Sequence, residues 1–285
     1  MTDKMVSPDD LDAGNQVARH YGGRNMADAI LATLANQGID ADSLRPDDLA
    51  PFEELHIGGR AATEYLVNKL ELKRHHHVLD VGCGIGGAVR YVADKVGCQV
   101  SGIDITPEFV QAAVRLTEAV DLHHRTRFDV GSAISMPYDA DSFDVVLTIH
   151  AAMNIADRAS LYQEMARVLK PGGVLALYDV MRKGEGDLRF PVPWADTPAI
   201  SCLLTPEETE EHLEQVGMEV VLTEDRTSMA TAFFRNILSG TAPSDTSVAP
   251  KIAMRDALHK LRNTFVNLDR GLIAPVLMLA RAPVG

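Results

Sequence analysis

The sequence predicts an α/β fold built on a doubly wound, mostly parallel sheet, and three observations carry that prediction. Residues 77–87, HVLDVGCGIGG, run from a short apolar stretch through an acid into four glycines, the pattern of a strand entering a tight glycine turn. Short runs rich in Val, Ile and Leu at 78–81, 99–103, 142–149 and 174–180, with a shorter one at 127–130, alternate with segments of helical apolar spacing, the order of a parallel sheet with crossover helices. Helix starts are marked at Thr106-Pro107-Glu108 and Thr205-Pro206-Glu207-Glu208, each an N-cap residue, a proline at the first helical position and a first-turn acid.

Taken in order, the chain begins polar and turns helical from about Asn15, where Val17, Met26, Ile30, Leu31 and Leu34 form an apolar face that stops before Gly38. Arg45-Pro46-Asp47-Asp48-Leu49 reads as a turn into a short helix, and FEELHIGGRAATEYLVNKL passes Gly58 and Gly59 into a helix ending near Leu70. All of this precedes the sheet, so residues 1–70 are expected to form a helical cap. His75, His76 and His77 lie just before the first strand. Consecutive side chains on an extended segment point to alternate faces, so solvated loop histidines are expected there rather than a metal site.

Val78, Leu79 and Val81 make a strand buried on both faces, and Gly82, Gly84 and Gly87 fit the G-x-G-x-x-G spacing. Residues 88–96 read as a helix whose first N–H groups have no intrahelical partner. Strand, turn and helix together make a cradle for a nucleotide-like ligand. The second strand ends at Asp104, an acid placed to accept both hydroxyls of a ribose. Asp80, at the mouth of the turn, favours a ligand that carries positive charge and repels a pyrophosphate. S-adenosylmethionine, with a sulfonium and an ammonium, has that charge.

A second crossover helix runs from Thr106 to about Val120, and His123 and His124 fall in a polar link. The third strand, 127–130, leads to Gly131-Ser132-Ala133. The fourth, SFDVVLTI, delivers His150, Met153 and Asn154 at its carboxyl end, where ligands of open α/β sheets bind. His150 is either a base or orienting group, or a histidine held in the core; Met153 reads as packing. Residues 161–169 form a helix ended by the Lys170-Pro171-Gly172-Gly173 turn, and the fifth strand finishes at Tyr178 and Asp179. The linker FPVPWADTPAISCLLTPEE holds the only tryptophan, Trp194, either at the mouth of the site or sealing a core edge. After a sixth strand at 218–223, helical spacing (Phe233, Phe234, Ile237, Leu238, then Ile252, Leu258, Leu261, Phe265, Leu268) separates it from the last strand-like run, 274–282. Residues 71–225 are therefore expected to be the core, 226–271 a helical lid inserted before the last strand, and 272–285 that strand.

The chain carries 27 Lys and Arg against 40 Asp and Glu, a net charge of −13, which disfavours nucleic acid and anionic membranes as partners. Cys83, Cys98 and Cys202 are widely spaced and odd in number, fitting neither a disulfide framework nor a zinc site. No apolar run approaches the ~20 residues that span a bilayer, and a soluble cytoplasmic protein is expected.

With VLDVGCGIGG and LKPGG, the chain resembles the class I, Rossmann-like S-adenosylmethionine-dependent methyltransferases. HIGGRAATEYL, GIDITPEFVQAA, MPYDADSFDVV, AAMNIADRASLYQEMARVLKPGG and FPVPWADTPAIS extend the likeness to the small-molecule sarcosine/dimethylglycine and quinone/tocopherol methyltransferases. The resemblance implies a Rossmann-like seven-stranded sheet in which the sixth and seventh strands pair. It implies S-adenosylmethionine as methyl donor, S-adenosylhomocysteine as product, and no metal. Gly82, Gly84 and Gly86 would line the cofactor, with Asp80 near its methionyl ammonium, Asp104 on the ribose and Ile105 on the adenine. Ser132 and Ala133 would bound the adenine pocket, Ser132 standing where the family usually places an acid, and His150 would lie beside the methionine moiety. On the acceptor side, His56 with Gly58 and Gly59 would close the cap; Tyr21, Tyr178 and Trp194 would offer aromatic surface, with Met153, Asn154 and Phe233 beside them. The reaction implied is in-line methyl transfer to a small amine, phenol or heterocycle. A protein or RNA methyltransferase and a non-catalytic S-adenosylmethionine-binding protein remain open as alternatives, and a homodimer is left open as the assembly.

Overall fold

The computed structural model describes residues 26–239 and 256–284. Its seven strands are β1 (His77–Val81), β2 (Gln99–Asp104), β3 (Thr126–Val130), β4 (Phe143–Ile149), β5 (Leu169–Arg182), β6 (Glu219–Asp225) and β7 (Ile273–Arg281). They form one sheet in the order β3-β2-β1-β4-β5-β7-β6. Neighbours from β3 through β5 are parallel, and β7 runs antiparallel to both β5 and β6. The sheet is thus mostly parallel, and the sixth and seventh strands pair directly across the long insertion. Val78, Leu79 and Val81 are fully buried, as a central strand covered on both faces requires.

The helices are α1 (Met26–Asn36), α2 (Pro46–Glu53), α3 (Gly59–Lys69), α4 (Gly87–Lys95), α5 (Pro107–Ala119), α6 (Arg158–Val168), α7 (Pro206–Gln215), α8 (Thr227–Ser239) and α9 (Ala257–Asp269). One face of the sheet packs on Leu161 and Met165 of α6 and Leu213 of α7. The other packs on Leu66 and Val67 of α3 and on Val89 and Val92 of α4. Thr205 accepts from Glu208 N while the Glu208 side chain accepts from Thr205 N, a reciprocal cap that starts α7 where the sequence marks it.

Two further clusters position the site. Ile30 and Leu34 of α1 and Leu49 and Phe52 of α2 pack against Phe109 and Leu116 of α5, and Ile85 from the glycine turn joins them. Phe234 of α8 and Leu261 and Leu268 of α9 pack with Val192, Trp194 and Ile273. Most described apolar positions of the cap and the insertion are thus covered, Leu258 being an exposed exception.

Two local expectations are corrected. Lys170-Pro171-Gly172-Gly173 does not form a turn ahead of β5 but lies within it. Phe143 pairs with Leu169 and Val145 with Val174, so the extra residues bulge out of the ladder. A Cβ on Gly173 would lie 2.8 Å from Lys170 O and 3.0 Å from Asp144 O, so the bulge needs glycine there. His77 belongs to β1: its Nε2 lies 3.0 Å from Ser101 Oγ and its ring packs on Phe143. The start of the first predicted helix, Tyr21 and the polar stretch after 239 lie outside the described residues.

Candidate active site at the carboxyl ends of the strands

The chain leaves β1 to form β2 and β3 on one side and returns to form β4 on the other, so a crevice opens between the ends of β1 and β4. The glycine turn fills its floor. Gly82, at φ +78°, would place a Cβ 2.3 Å from that of Ala151, so only glycine lets the turn pass under the exit of β4. Gly84, at φ +53°, has nothing within 4 Å of its Cβ position and leaves open space above the backbone. Gly82 N and Cys83 N donate to Ile103 O at 2.8 and 3.1 Å, tying the turn to β2. At the end of β2, Asp104 accepts from Gly84 N on one oxygen and Thr106 N on the other, both at 2.9 Å. Its carboxylate is therefore fixed before any ligand arrives.

A cavity of about 450 Å³ follows the crevice. Asp80, Gly82, Gly84, Asp104 and Ile105 face it at one end, with Ser132 and Ala133 beside them. His56, Met153, Asn154, Trp194 and Phe233 face it at the other, where His150 stands between the two ends. His150 sits at φ +52°, a left-handed conformation costly for a side chain with a Cβ, just where β4 turns over Gly82. Its N donates to Tyr178 O at 2.8 Å.

The electrostatics of the cavity are set by burial. The Asp80 carboxyl is pushed up to about 8, first by desolvation and then by the neighbouring Asp104 and Glu54 carboxylates. Burial also raises Glu53 and Glu54 against the opposing pull of Arg90 and Arg60. Burial holds the His150 imidazole well below its usual range, with His56 5.8 Å away adding to the effect. Burial brings His56 down to about 4. Both rings are neutral at physiological pH, and the Nε2 of His150 is buried without a hydrogen-bond partner.

Glu53, Glu54 and Arg90 face or brace this cavity without having been anticipated. Arg90 of α4 is fully buried. It donates through Nε to Glu53 Oε2 at 3.1 Å, through Nη2 to Ile85 O at 2.6 Å, and through Nη1 to Ala113 O and Thr117 Oγ1 at 3.1 and 2.9 Å. It thereby joins the cap helix α2, the glycine turn and α5. Arg60 Nη2 lies 2.9 Å from Glu53 Oε1 and its Nε 2.8 Å from Glu54 Oε1. An arginine within the apolar pattern of α4 and the paired acids of FEELHIGG were the available signals.

Two anticipated residues, Gly86 and Tyr178, do not face the cavity. Gly86 caps α4 at φ +85°, and a Cβ there would meet Arg90 Nη1 and Phe128 at 2.9 Å, so it faces the packing behind the turn. Tyr178 lies one layer back: its hydroxyl donates to Ile57 O at 2.9 Å and its ring packs 5.0 Å from that of His150. Tyr21 is outside the described residues. Trp194 combines both readings of the sequence. It is 4% exposed within the apolar cluster, its Nε1 donates to Ser201 Oγ at 3.0 Å, and it walls the cavity. Among the described residues no group of three or more His, Cys, Asp or Glu is placed to hold a metal ion.

Residues 79–177, which contain the glycine turn, Asp104 and His150, match the model of the methyltransferase domain family. Over these residues the chain is similar to methyltransferase domains. Methyltransferase GfsG of Streptomyces halstedii is 36% identical over 142 residues, half of each protein. The glycine/sarcosine/dimethylglycine N-methyltransferase of Actinopolyspora halophila is 26% identical over 235 residues, 81% of this chain and 42% of that protein. The matched regions thus span half or less of these relatives' lengths. The fold is shared with the [4+2]-cyclase SpnF, at a TM-score of 0.69 and 22% identity over 99% of this chain and 98% of that one.

Proposed function

We propose that this protein is an S-adenosylmethionine-dependent methyltransferase whose acceptor is a small molecule. The observation that carries the reading is the buried carboxyl of Asp80 and the half-buried carboxylate of Asp104, on either side of an open glycine turn. They share one cavity with an apolar chamber built from the cap, the linker and the insertion. The donor set fits the cofactor. Asp104, already oriented by two backbone N–H groups, keeps lone pairs for the ribose hydroxyls. Asp80 and Glu54 supply negative charge toward a cation, and Ile105, Ser132 and Ala133 bound a flat apolar slot for the adenine.

When bound, S-adenosylmethionine supplies an electrophilic methyl group on a sulfonium that leaves as a neutral thioether. What the chain contributes is position and dryness. The described parts of the cap, 26–70, and of the lid, 226–239 and 256–271, pack beside the cavity of the core, 71–225 with the final strand, and help exclude water from the displacement. His150 orients the acceptor as a neutral hydrogen-bonding ring; its depressed basicity suits that role better than strong general-base catalysis. A cavity recessed between the strand ends and walled by apolar side chains favours a small acceptor over a protein or RNA, as does the net charge of −13.

The test is to incubate the purified protein with methyl-labelled cofactor and a metabolite extract. Label is expected in a small compound. Label that stays on the cofactor while the cofactor is demonstrably bound would point instead to a non-catalytic binding protein.

A further inference from the structure

Building on the methyl-transfer reading, we propose that the acceptor is uncharged and predominantly apolar, and that the site discriminates against carboxylate- or phosphate-bearing acceptors. The far end of the cavity is walled by Ile57, Met153, Trp194, Phe233, Phe234 and Leu261. Among the described residues that line the cavity there is no lysine and no arginine. The ionisable side chains there are the acids Glu53, Glu54, Asp80, Asp104 and Asp157 and the neutral imidazoles of His56 and His150. Of the guanidinium groups next to the cavity, Arg60 pairs with Glu53 and Glu54, Arg90 pairs with Glu53, and Arg158 donates through Nη2 to Cys202 O at 2.7 Å.

Asn154 Nδ2 at that end donates to Ala151 O at 3.4 Å, and two further polar side chains are turned inward. Trp194 Nε1 donates to Ser201 Oγ, and Thr264 Oγ1 donates to Lys260 O at 2.9 Å, so the indole offers its apolar face and the threonine its methyl. A buried anion is tolerated only beside a cation or several donors, and this wall offers neither. A protonated amine is ruled out as the reacting form for a different reason, because it has no lone pair to attack the methyl group. What remains is a neutral hydroxyl, neutral amine or electron-rich carbon carried on an apolar frame.

Trp194 is the only tryptophan in the chain, so its emission reports on this end of the cavity. S-adenosylhomocysteine binding is first established by calorimetry. The saturated protein is then titrated at neutral pH with 4-cyclohexylcyclohexanol, with the matching 4-cyclohexylcyclohexanecarboxylate and with sarcosine, none of which absorbs where tryptophan is excited. The alcohol is expected to shift Trp194 emission saturably, with a Kd at least tenfold below that of the carboxylate, and sarcosine to leave the emission unchanged. Phe233→Lys, at a partly buried wall position, is expected to tighten the carboxylate at least tenfold. Carboxylate or sarcosine binding as tight as the alcohol, or no saturable shift with the alcohol, overturns the proposal. Failure of the first step, with no S-adenosylhomocysteine bound, overturns the cofactor reading instead.

Discussion

Asp80 shows how one residue ties stability to ligand choice. Buried beside Asp104 and Glu54, its carboxyl is raised from an ordinary 3.8 to about 8, so at neutral pH it holds a proton that a cationic ligand must displace. Affinity for S-adenosylmethionine should therefore rise as pH climbs toward 8, by up to about tenfold per unit, and level off above it. Calorimetry in buffers of different ionisation enthalpy measures the released proton directly. The same shift has a stability consequence. A folded-state pKa above the unfolded value contributes stability that is complete below the unfolded pKa, near 3.8, and is lost as pH rises through about 8. Asp80→Asn removes that loss, and above pH 8 its thermal midpoint without ligand should exceed the wild type's, with about 1–3 kcal/mol of added stability, while its cofactor affinity falls. For His150→Ala, turnover is expected to drop by about ten- to a hundredfold with cofactor affinity retained; unchanged turnover would remove His150 from the mechanism. Asp80 and Asp104 were legible because a strand end and a glycine turn are local patterns. Glu53 and Arg90 were not, since a buried arginine and its acid meet only through packing across segments 37 residues apart. Gly84 and Gly86 look alike in sequence and both adopt positive φ, and only the neighbours of each Cβ position distinguish the one facing the cavity from the one facing Phe128.

Among the elements, the junction of α2, α4 and α5 is where cap and cofactor turn become one unit. Arg90 has no water to fall back on, and removing it leaves Glu53 buried without its main counter-charge. Arg90→Met should cost about 3–5 kcal/mol in chemical denaturation and weaken cofactor binding, because Ile85 O loses the donor that fixes the turn. A loss under about 1 kcal/mol would show that the junction is not the brace described. Helical periodicity was enough to identify α5 and α8, since each buries one largely apolar stripe, whereas α9 also buries Lys260, Asn263, Thr264 and Asn267 and leaves Leu258 exposed. Lys170-Pro171-Gly172-Gly173 misled for the opposite reason: proline and glycine announce irregular backbone without saying whether it ends a ladder or bulges within it. The answer lies in the partners, Asp144 within β4 and Pro283 after β7, whose O accepts from Gly172 N.

For the whole molecule, the alternation of strands and helices predicted the parallel sheet, and the place of the site followed from the general rule that ligands sit at the carboxyl ends of such strands. The position of β7 between β5 and β6, and the way α8, α9 and the Trp194 linker share one apolar cluster, depend on contacts between distant segments that no local pattern reveals. The central claim is that the crevice between β1 and β4 binds S-adenosylmethionine through an Asp104 already held in place. Calorimetric titration of the wild type and of Asp104→Ala with S-adenosylmethionine tests it most directly, with circular dichroism confirming that the variant is folded. The account predicts one saturable site in the wild type and an affinity at least about a hundredfold weaker in the variant. A wild type that binds no cofactor, or a folded variant that binds it as tightly, would contradict it.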